Sequence, residues 1–341
     1  MWLNQQTFVI SNITENSLLT SNRHIISPAT QDAIKEAGKL IVNGELIAFP
    51  TETVYGLGGD ATNDKAIAKI FSAKERPKFN PLIVHFHHIE SVKKAVLFDD
   101  RANKLSSIFW PGALTLVLPR APNCKISLLA SAGLGTIAVR VPQNVVAKKL
   151  IEASGSSIAA PSANFSGTVS PTDAAHVANS LPPPSKGGPA KILDGGRCTI
   201  GLESTVIDLS TKYTTLLRPG GIPTHELESV VGPVTISLEV QSAPKSPGMA
   251  LQHYAPSIPL RMNALIANPG EALLGFGPNT PLSASANLSP EGNLLEAATN
   301  LFAMIRALDK KNITGIAVMP IPNEGLGHAI NDRLLRAATT I

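Results

Sequence analysis

Residues 46–85 read LIAFPTETVYGLGGDATNDKAIAKIFSAKERPKFNPLIVH, and this stretch decides the fold. An apolar strand over 46–49 runs into a turn rich in hydroxyls, Thr51, Thr53 and Tyr55. A helix follows and ends in Lys74-Glu75-Arg76-Pro77, and a second apolar strand then closes on His85. Strand, polar turn, helix, cationic exit and strand is a recurrent way to build a small-molecule pocket at strand ends. The donors collected there are hydroxyl, guanidinium and ammonium groups, with few carboxylates among them. Such a pocket expects an anion.

At 341 residues the length favours two domains, each able to bury its own core. An apolar fraction of 43% with 16% charged residues excludes the disordered and membrane-spanning classes. No apolar run approaches the about 18 residues that cross a bilayer. The opening MWLNQQTFVISNITENS has neither a basic start nor a continuous apolar core, so no signal peptide is expected. Two cysteines, Cys124 and Cys198, stand far apart and outside any CxxC, which argues against a disulfide framework and fits a cytoplasmic protein. The net charge of +4 permits an anionic ligand or an RNA contact and demands neither.

Working outward, residues 1–27 show no clean period and read as an N-terminal extension. Pro28 and Thr30 signal a helix start, Ala33, Ile34, Ala37, Leu40 and Ile41 follow at helical spacing, and Gly44 stops it. Helices are expected over 91–97, 99–109 and 143–154, and strands over 114–118, 136–141, 157–160, 204–209 and 214–217. The run LPPPSKGGPA is a surface loop, because successive prolines exclude helix and central strand. Strands alternating with helices indicate an α/β domain over 28–219, and the hairpin-like last pair implies a mixed sheet. Residues 220–259, rich in proline and turn formers, read as a linker. Beyond it, 260–341 form a smaller α/β unit, with strands over 272–276 and 315–319. An amphipathic stripe of Leu294, Leu295, Ala298, Leu301, Phe302, Ile305 and Leu308 lies between them.

The familiar phosphate signatures fail. There is no GxxxxGK[ST], and Gly56-x-Gly58-x-x-Ala61 lacks the acidic residue about 20 positions on that a dinucleotide site needs. Lys74 and Arg76 are better candidates. Such cations often only complement a helix end, but Pro77 and Asn80-Pro81 steer this pair to the entrance of a buried strand. His85 and His87 share one face of a strand with His88 on the other, and no nearby Cys or Asp completes a metal set. His85 is therefore read as a substrate partner. Arg140 inside TIAVRVP is costly unless paired: either a distant carboxylate satisfies it or it grips a ligand carboxylate. Ser162-Ala163-Asn164 and Ser170-Pro171-Thr172 are helix-start clusters that serve as caps or as phosphate donors. Glu203-Ser204-Thr205 and Arg218 add polar groups at strand termini. No serine has an evident His and Asp relay, so a hydrolase triad is a poor reading.

PTETVYGLGGDA, KxRPxxxPLIVH, PGALTLVL, TIAVRVP, APSANFSG with SPT, GLESTVID, LLRPGG, SPGMALQHYAP and GLGHAINDRLLRAA occur in this order. With them the chain resembles the two-domain YrdC-type threonylcarbamoyl-AMP synthases, nucleotidyltransferases of tRNA threonylcarbamoyladenosine biosynthesis. The resemblance implies a YrdC-like twisted mixed sheet flanked by helices, plus a small Rossmann-like α/β domain. It implies that L-threonine, bicarbonate and ATP give threonylcarbamoyl-adenylate and pyrophosphate, with the product passed to a tRNA threonylcarbamoyl transferase complex. By position it implies that Thr53, His85, Arg140, Ser162 and Ser204 contact L-threonine. Lys74 and Arg76 would be catalytic, and Arg76, Asn80, Thr136, Asn164, Thr172 and Arg218 would hold ATP, with Lys74 assisting and Tyr254 of the linker closing over it. Glu75 stands where many members have glycine, and residues 250–252 lack the basic residues common before HYAP.

That chemistry suits the residue types. A carbamate oxygen attacks the α-phosphorus in line with departing pyrophosphate, which calls for positioning and charge neutralisation rather than a protein nucleophile. Magnesium is expected as the companion of ATP, held by phosphates and water, since no carboxylate cluster is visible. Because N-carboxythreonine decomposes in water, a lid is expected, and the linker with Tyr254 is placed to be one. Two other classes compete. One is a double-stranded RNA- or tRNA-binding module of the same fold without turnover, which the 4% aromatic content disfavours. The other is a carbamoyl transferase of the hydrogenase-maturation type, which the lack of paired CxxC motifs disfavours.

Overall fold

The computed structural model describes residues 26–236 and 253–338. The N-terminal extension up to residue 25 and the linker run 237–252 lie outside the described residues.

The larger lobe is an α/β structure on one mixed sheet. In chain order its strands are β1 (Ile26–Pro28), β2 (Ile47–Phe49), β3 (Gly56–Asp60), β4 (Ile83–His85), β5 (Leu114–Pro119), β6 (Thr136–Arg140), β7 (Ile158–Ala159), β8 (Lys191–Asp194), β9 (Thr205–Asp208), β10 (Thr215–Arg218) and β11 (Thr235–Ile236). They lie in the order β1-β8-β2-β3-β7-β4-β6-β5-β9-β10-β11. Helices α1 (Gln31–Val42), α2 (Asp64–Ala73), α3 (Ile89–Lys93), α4 (Asp100–Phe109), α5 (Val145–Ser154), α6 (Ala174–Ser180) and α7 (Thr224–Val231) accompany it. The smaller lobe has a parallel sheet of β12 (Leu260–Arg261), β15 (Gly315–Val318), β13 (Glu271–Gly275) and β14 (Ala286–Asn287) in that order. Its helices are α8 (Leu294–Leu308) and α9 (Gly327–Ala338).

Local chemistry sets the helix ends. Thr30 caps α1 by accepting from the Ala33 amide at 3.2 Å, and Gly44 follows it at φ 78°. Asn63 caps α2 through the amides of Lys65 and Ala66 at 3.0 and 3.4 Å. Just past α2, Glu75 sits at φ 50°, in the left-handed region where glycine is at ease, so the residue type expected there from the resemblance has a backbone reason.

Two expectations change, and a reading that the sequence already disfavoured falls away. Residues 26–28, assigned to the extension or its boundary, form β1 and pair in parallel with β8, itself unforeseen. Gly56-Leu57-Gly58 is the inside of an antiparallel strand and not a phosphate turn, which removes the dinucleotide reading. A Cβ on Gly58 would stand 2.6 Å from Phe49 and 2.7 Å from Ile158, so this strand needs glycine for close packing. Finally, α7 and β11 lie within the stretch read as linker, and β11 pairs with β10 of the main sheet.

The lobes share apolar packing. Val54, Val169 and Leu202 of the larger lobe join Leu301, Phe302 and Ile330 of the smaller one in a single cluster. Burying a ring such as Phe302 is worth about 2 kcal/mol. Polar contacts add direction: Arg306 of α8 donates to the Val169 carbonyl and, at 3.2 Å, to that of Ser170. Among the described residues no helix is long and apolar enough to cross a membrane.

Candidate active site

Parallel strands β4 and β6 place His85 directly opposite Arg140 at their C-terminal ends. The chain after β7 is tied back by the Ala160 amide to Ile83 and by the Leu57 amide to Pro161, which brings Ser162 against Gly56. On the other flank β9 and β10 are antiparallel, so Ser204, just before β9, meets Arg218 at the end of β10. Strand termini thus converge on one hollow. Thr53, Arg76, His85, Arg140, Ser162, Ser204, Arg218 and Tyr254 all line it, joined by Glu203 and His253.

Arg140 is fixed on three sides. Its Nη2 donates to Glu52 Oε1 at 2.7 Å, Nη1 to Thr53 Oγ1 at 2.9 Å and Nε to the Gly112 carbonyl at 3.0 Å. Glu52 is the distant carboxylate that sequence left open. Burial would raise its pKa, but the adjacent Arg140 and the Gln143 amide together offset this and hold it low. Thr53 is shaped by Thr51, whose Oγ1 lies 2.7 Å from Thr53 Oγ1 and donates to the Val54 carbonyl. Burial, reinforced by Arg140, pushes the His85 imidazole down to about 3, so it is neutral in the neutral pH range.

Three more cations gather opposite. Arg76 donates to the carbonyls of Asn80 and Pro81 at 3.1 and 2.9 Å, and among the described residues no carboxylate pairs with it. Burial, then the neighbouring Arg218, pulls its pKa down. Lys74 is buried behind the wall, donating to the Ser162 carbonyl at 2.6 Å and to that of Asn164. Its pKa is lowered by burial first and by Arg76 second. Arg218 donates to the Ser204 carbonyl at 2.8 Å and to its Oγ at 3.1 Å. A bare buried cation is costly, and so is a buried polar atom without a partner. Asn80 Oδ1, His85 Nδ1, Asn164 Oδ1, His253 Nδ1 and Tyr254 Oη are all buried and unpartnered, and all lie on or beside this hollow. These groups and the buried cations suit a polar, anionic ligand.

Five sequence-assigned residues do not line the hollow. Lys74 is behind it, and Asn80 supplies a backbone carbonyl to Arg76. Asn164 braces its own loop through the Thr168 carbonyl at 2.8 Å, and Thr172 faces His176 at 3.3 Å. Thr136 starts β6, four residues from Arg140 and about 13 Å away along an extended strand. Conversely, sequence reading passed over Glu52, the wall position of Glu203, and His253. Glu52 lay in the quoted TETV, but its partner is 88 positions away, a pairing that only the folded sheet reveals.

Tyr254, just after the undescribed run, is 1% exposed, at φ 66°. Its ring stacks on Phe302 at 5.5 Å and meets His253 at 4.0 Å. Burial raises its hydroxyl to about 12 and lowers His253 to about 3, so both are neutral.

A mixed sheet whose strand ends wrap buried cations and hydroxyls around one hollow, with a second lobe packed against it, defines a two-lobe α/β protein with a cation-lined site. Comparison with known proteins narrows the class. The Sua5/YciO/YrdC family profile, described as telomere recombination, matches residues 39–220. The profile described as threonylcarbamoyl-AMP synthase, C-terminal domain, matches residues 222–339. The threonylcarbamoyl-AMP synthase of Bacillus subtilis is 40% identical over 89% of this chain and 92% of its own. That of Pyrococcus abyssi is 39% identical over 89% and 94%. The crystal structure of P. abyssi Sua5 complexed with L-threonine superposes with a TM-score of 0.84 at 38% identity, over 93% of this chain and 97% of that one. The chain belongs to the threonylcarbamoyl-AMP synthase family, in its two-domain form.

Proposed function

We propose that this hollow makes L-threonylcarbamoyladenylate and pyrophosphate from L-threonine, bicarbonate and ATP. One observation carries the reading: Arg76 is buried on the wall with no carboxylate partner among the described residues, beside hydroxyls that suit an amino acid. A triphosphate has the charge and the acceptor oxygens to pair with it.

L-Threonine belongs beside Arg140, whose Glu52 and Gly112 contacts hold its guanidinium rigid, with Thr53, His85, Ser162 and Ser204 as hydrogen-bonding neighbours. The amine nitrogen bonds to the carbon of bicarbonate and water leaves, giving a carbamate. A carbamate oxygen then bonds to the α-phosphorus as the bond to pyrophosphate breaks. Arg76 and Arg218 neutralise phosphate charge directly, and Lys74 adds a positive charge through the Ser162 loop it clamps. Asn80, Thr136, Asn164 and Thr172 then act around the nucleotide from outside the wall or after rearrangement. Magnesium enters with ATP as substrate. Glu52 and Glu203 are both committed to arginines, so phosphate oxygens and water are its remaining ligands. The carbamate needs shelter from water, and buried His253 and Tyr254 roof the place where it forms. The adenylate leaves for a transferase complex acting on tRNA.

The test is pyrophosphate release from ATP, with L-threonine and bicarbonate omitted in turn. Release that needs all three supports the reading. Release indifferent to both omissions would falsify it.

A further inference from the structure

We propose that Arg333, carried by α9 of the small lobe, is a positioning residue for the hollow: it pins Glu203 and takes that carboxylate's charge out of the nucleotide's path. The proposal rests on the synthase reading above and adds a role for the second lobe within it.

Arg333 is 1% exposed, and a guanidinium that deep persists only where its donors are met. Its Nε donates to Glu203 Oε2 at 2.8 Å, Nη2 to the Pro219 carbonyl at 2.9 Å and Nη1 to Asp332 Oδ2 at 2.6 Å. Its guanidinium carbon lies 5.0 Å from the centre of the Tyr254 ring. Each contact outside its own helix leads to the wall. Glu203 and Tyr254 line the hollow, Glu203 precedes Ser204, and Pro219 follows Arg218. The two wall segments already touch through backbone: a Cβ on Gly220 would stand 2.4 Å from the Glu203 carbonyl oxygen, and the Gly221 amide donates to that oxygen at 3.0 Å. One side chain from the other lobe therefore locks both segments.

Charge makes the role specific. Glu203 Oε1 is held by Ser170 Oγ at 2.5 Å, and Arg333 is the ion-pair partner given to its other oxygen. Without Arg333 the buried carboxylate would lose its ion-pair partner and, with Arg218 left to offset it, would add negative charge beside the space assigned to a triphosphate. Arg333 touches neither substrate in this account. It acts through Glu203.

The experiment uses the full chain and steady-state pyrophosphate release. Wild type must first depend on ATP and L-threonine; a wild type without that activity would count against the synthase reading, not against this one. Arg333→Met should raise KM for ATP about tenfold or more, with a smaller fall in kcat. Adding Glu203→Gln to Arg333→Met should recover most of that KM, because no bare carboxylate remains. Arg333→Lys should fall between wild type and Arg333→Met. If Arg333→Met does not fold, the double variant and Arg333→Lys decide, the double variant being expected to have the lower KM. An unchanged KM in Arg333→Met, or a double variant no better than Arg333→Met (or, if that does not fold, than Arg333→Lys), overturns the proposal.

Discussion

Arg140 meets Glu52 at 2.7 Å and two neutral oxygens besides, whereas among the described residues Arg76 meets only the carbonyls of Asn80 and Pro81. That difference separates an arginine paired with a carboxylate inside the protein from one without such a partner among the described residues. Glu52→Ala strands the Arg140 charge in the interior and should cost about 3 kcal/mol in denaturant unfolding. Arg76→Met removes a poorly compensated charge and should shift stability by no more than about 1 kcal/mol, while abolishing thermal stabilisation by ATP. Equal destabilisation in both variants would erase the distinction. Lys74 gives a pH dependence. Only its protonated form attracts phosphate, and burial, then Arg76, lowers its pKa in the free protein. ATP affinity should therefore weaken as pH rises through that lowered value, an effect absent from Lys74→Met. Sequence revealed Arg140 as a candidate because an apolar strand makes a charge conspicuous, and Lys74 and Arg76 because prolines steer them to a strand entrance. It could not reveal Glu52 as the partner of Arg140, because their proximity arises only from sheet pairing.

Elements with a clear period were legible and those defined by close approach were not. The stripe of α8 puts Ala298, Leu301, Phe302 and Ile305 in the core, although Leu295, counted in the same stripe, is 53% exposed. By contrast GLGGD offers no alternation and few side chains, yet it is a central strand because Phe49 and Ile158 need room. Helix α7 was hidden in a proline-rich context, with Pro223 at its N-cap. At this scale Gly58→Val should fail to pack, with a loss of about 3 kcal/mol or failure to fold, seen in the unfolding midpoint. Glu75→Gly should leave stability within about 1 kcal/mol, since relief of a left-handed backbone offsets the added chain entropy. A large loss there would mean that the Glu75 side chain has a role its geometry does not suggest.

Across the whole molecule, the junction between lobes combines a shared apolar cluster with buried polar contacts, among them the Arg333–Glu203 ion pair at the hollow. Burial alone would raise the Glu203 pKa, but Arg333 and then Arg218 overcome it and hold the group at about 2, against 4.5 for an ordinary glutamate. A lowered native pKa stabilises the fold above about pH 4.5, and this contribution fades as pH falls toward 2. The loss amounts to about 3 kcal/mol. Unfolding midpoints measured down this range should fall more steeply for wild type than for Glu203→Gln; identical slopes would contradict the assignment. The two-lobe division was legible from the proline-rich break, but the depth to which α9 enters the larger lobe was not, because Arg333 looks like a surface charge in GLGHAINDRLLRAA.

The most direct measurement supplies isotopically labelled bicarbonate with ATP and L-threonine and follows the label by mass spectrometry. The account expects one labelled carbon in a threonine-containing adenylate, formed in step with pyrophosphate and lost in Arg76→Ala. Pyrophosphate or phosphate released while the adenylate stays unlabelled, or full labelling in Arg76→Ala, would contradict it.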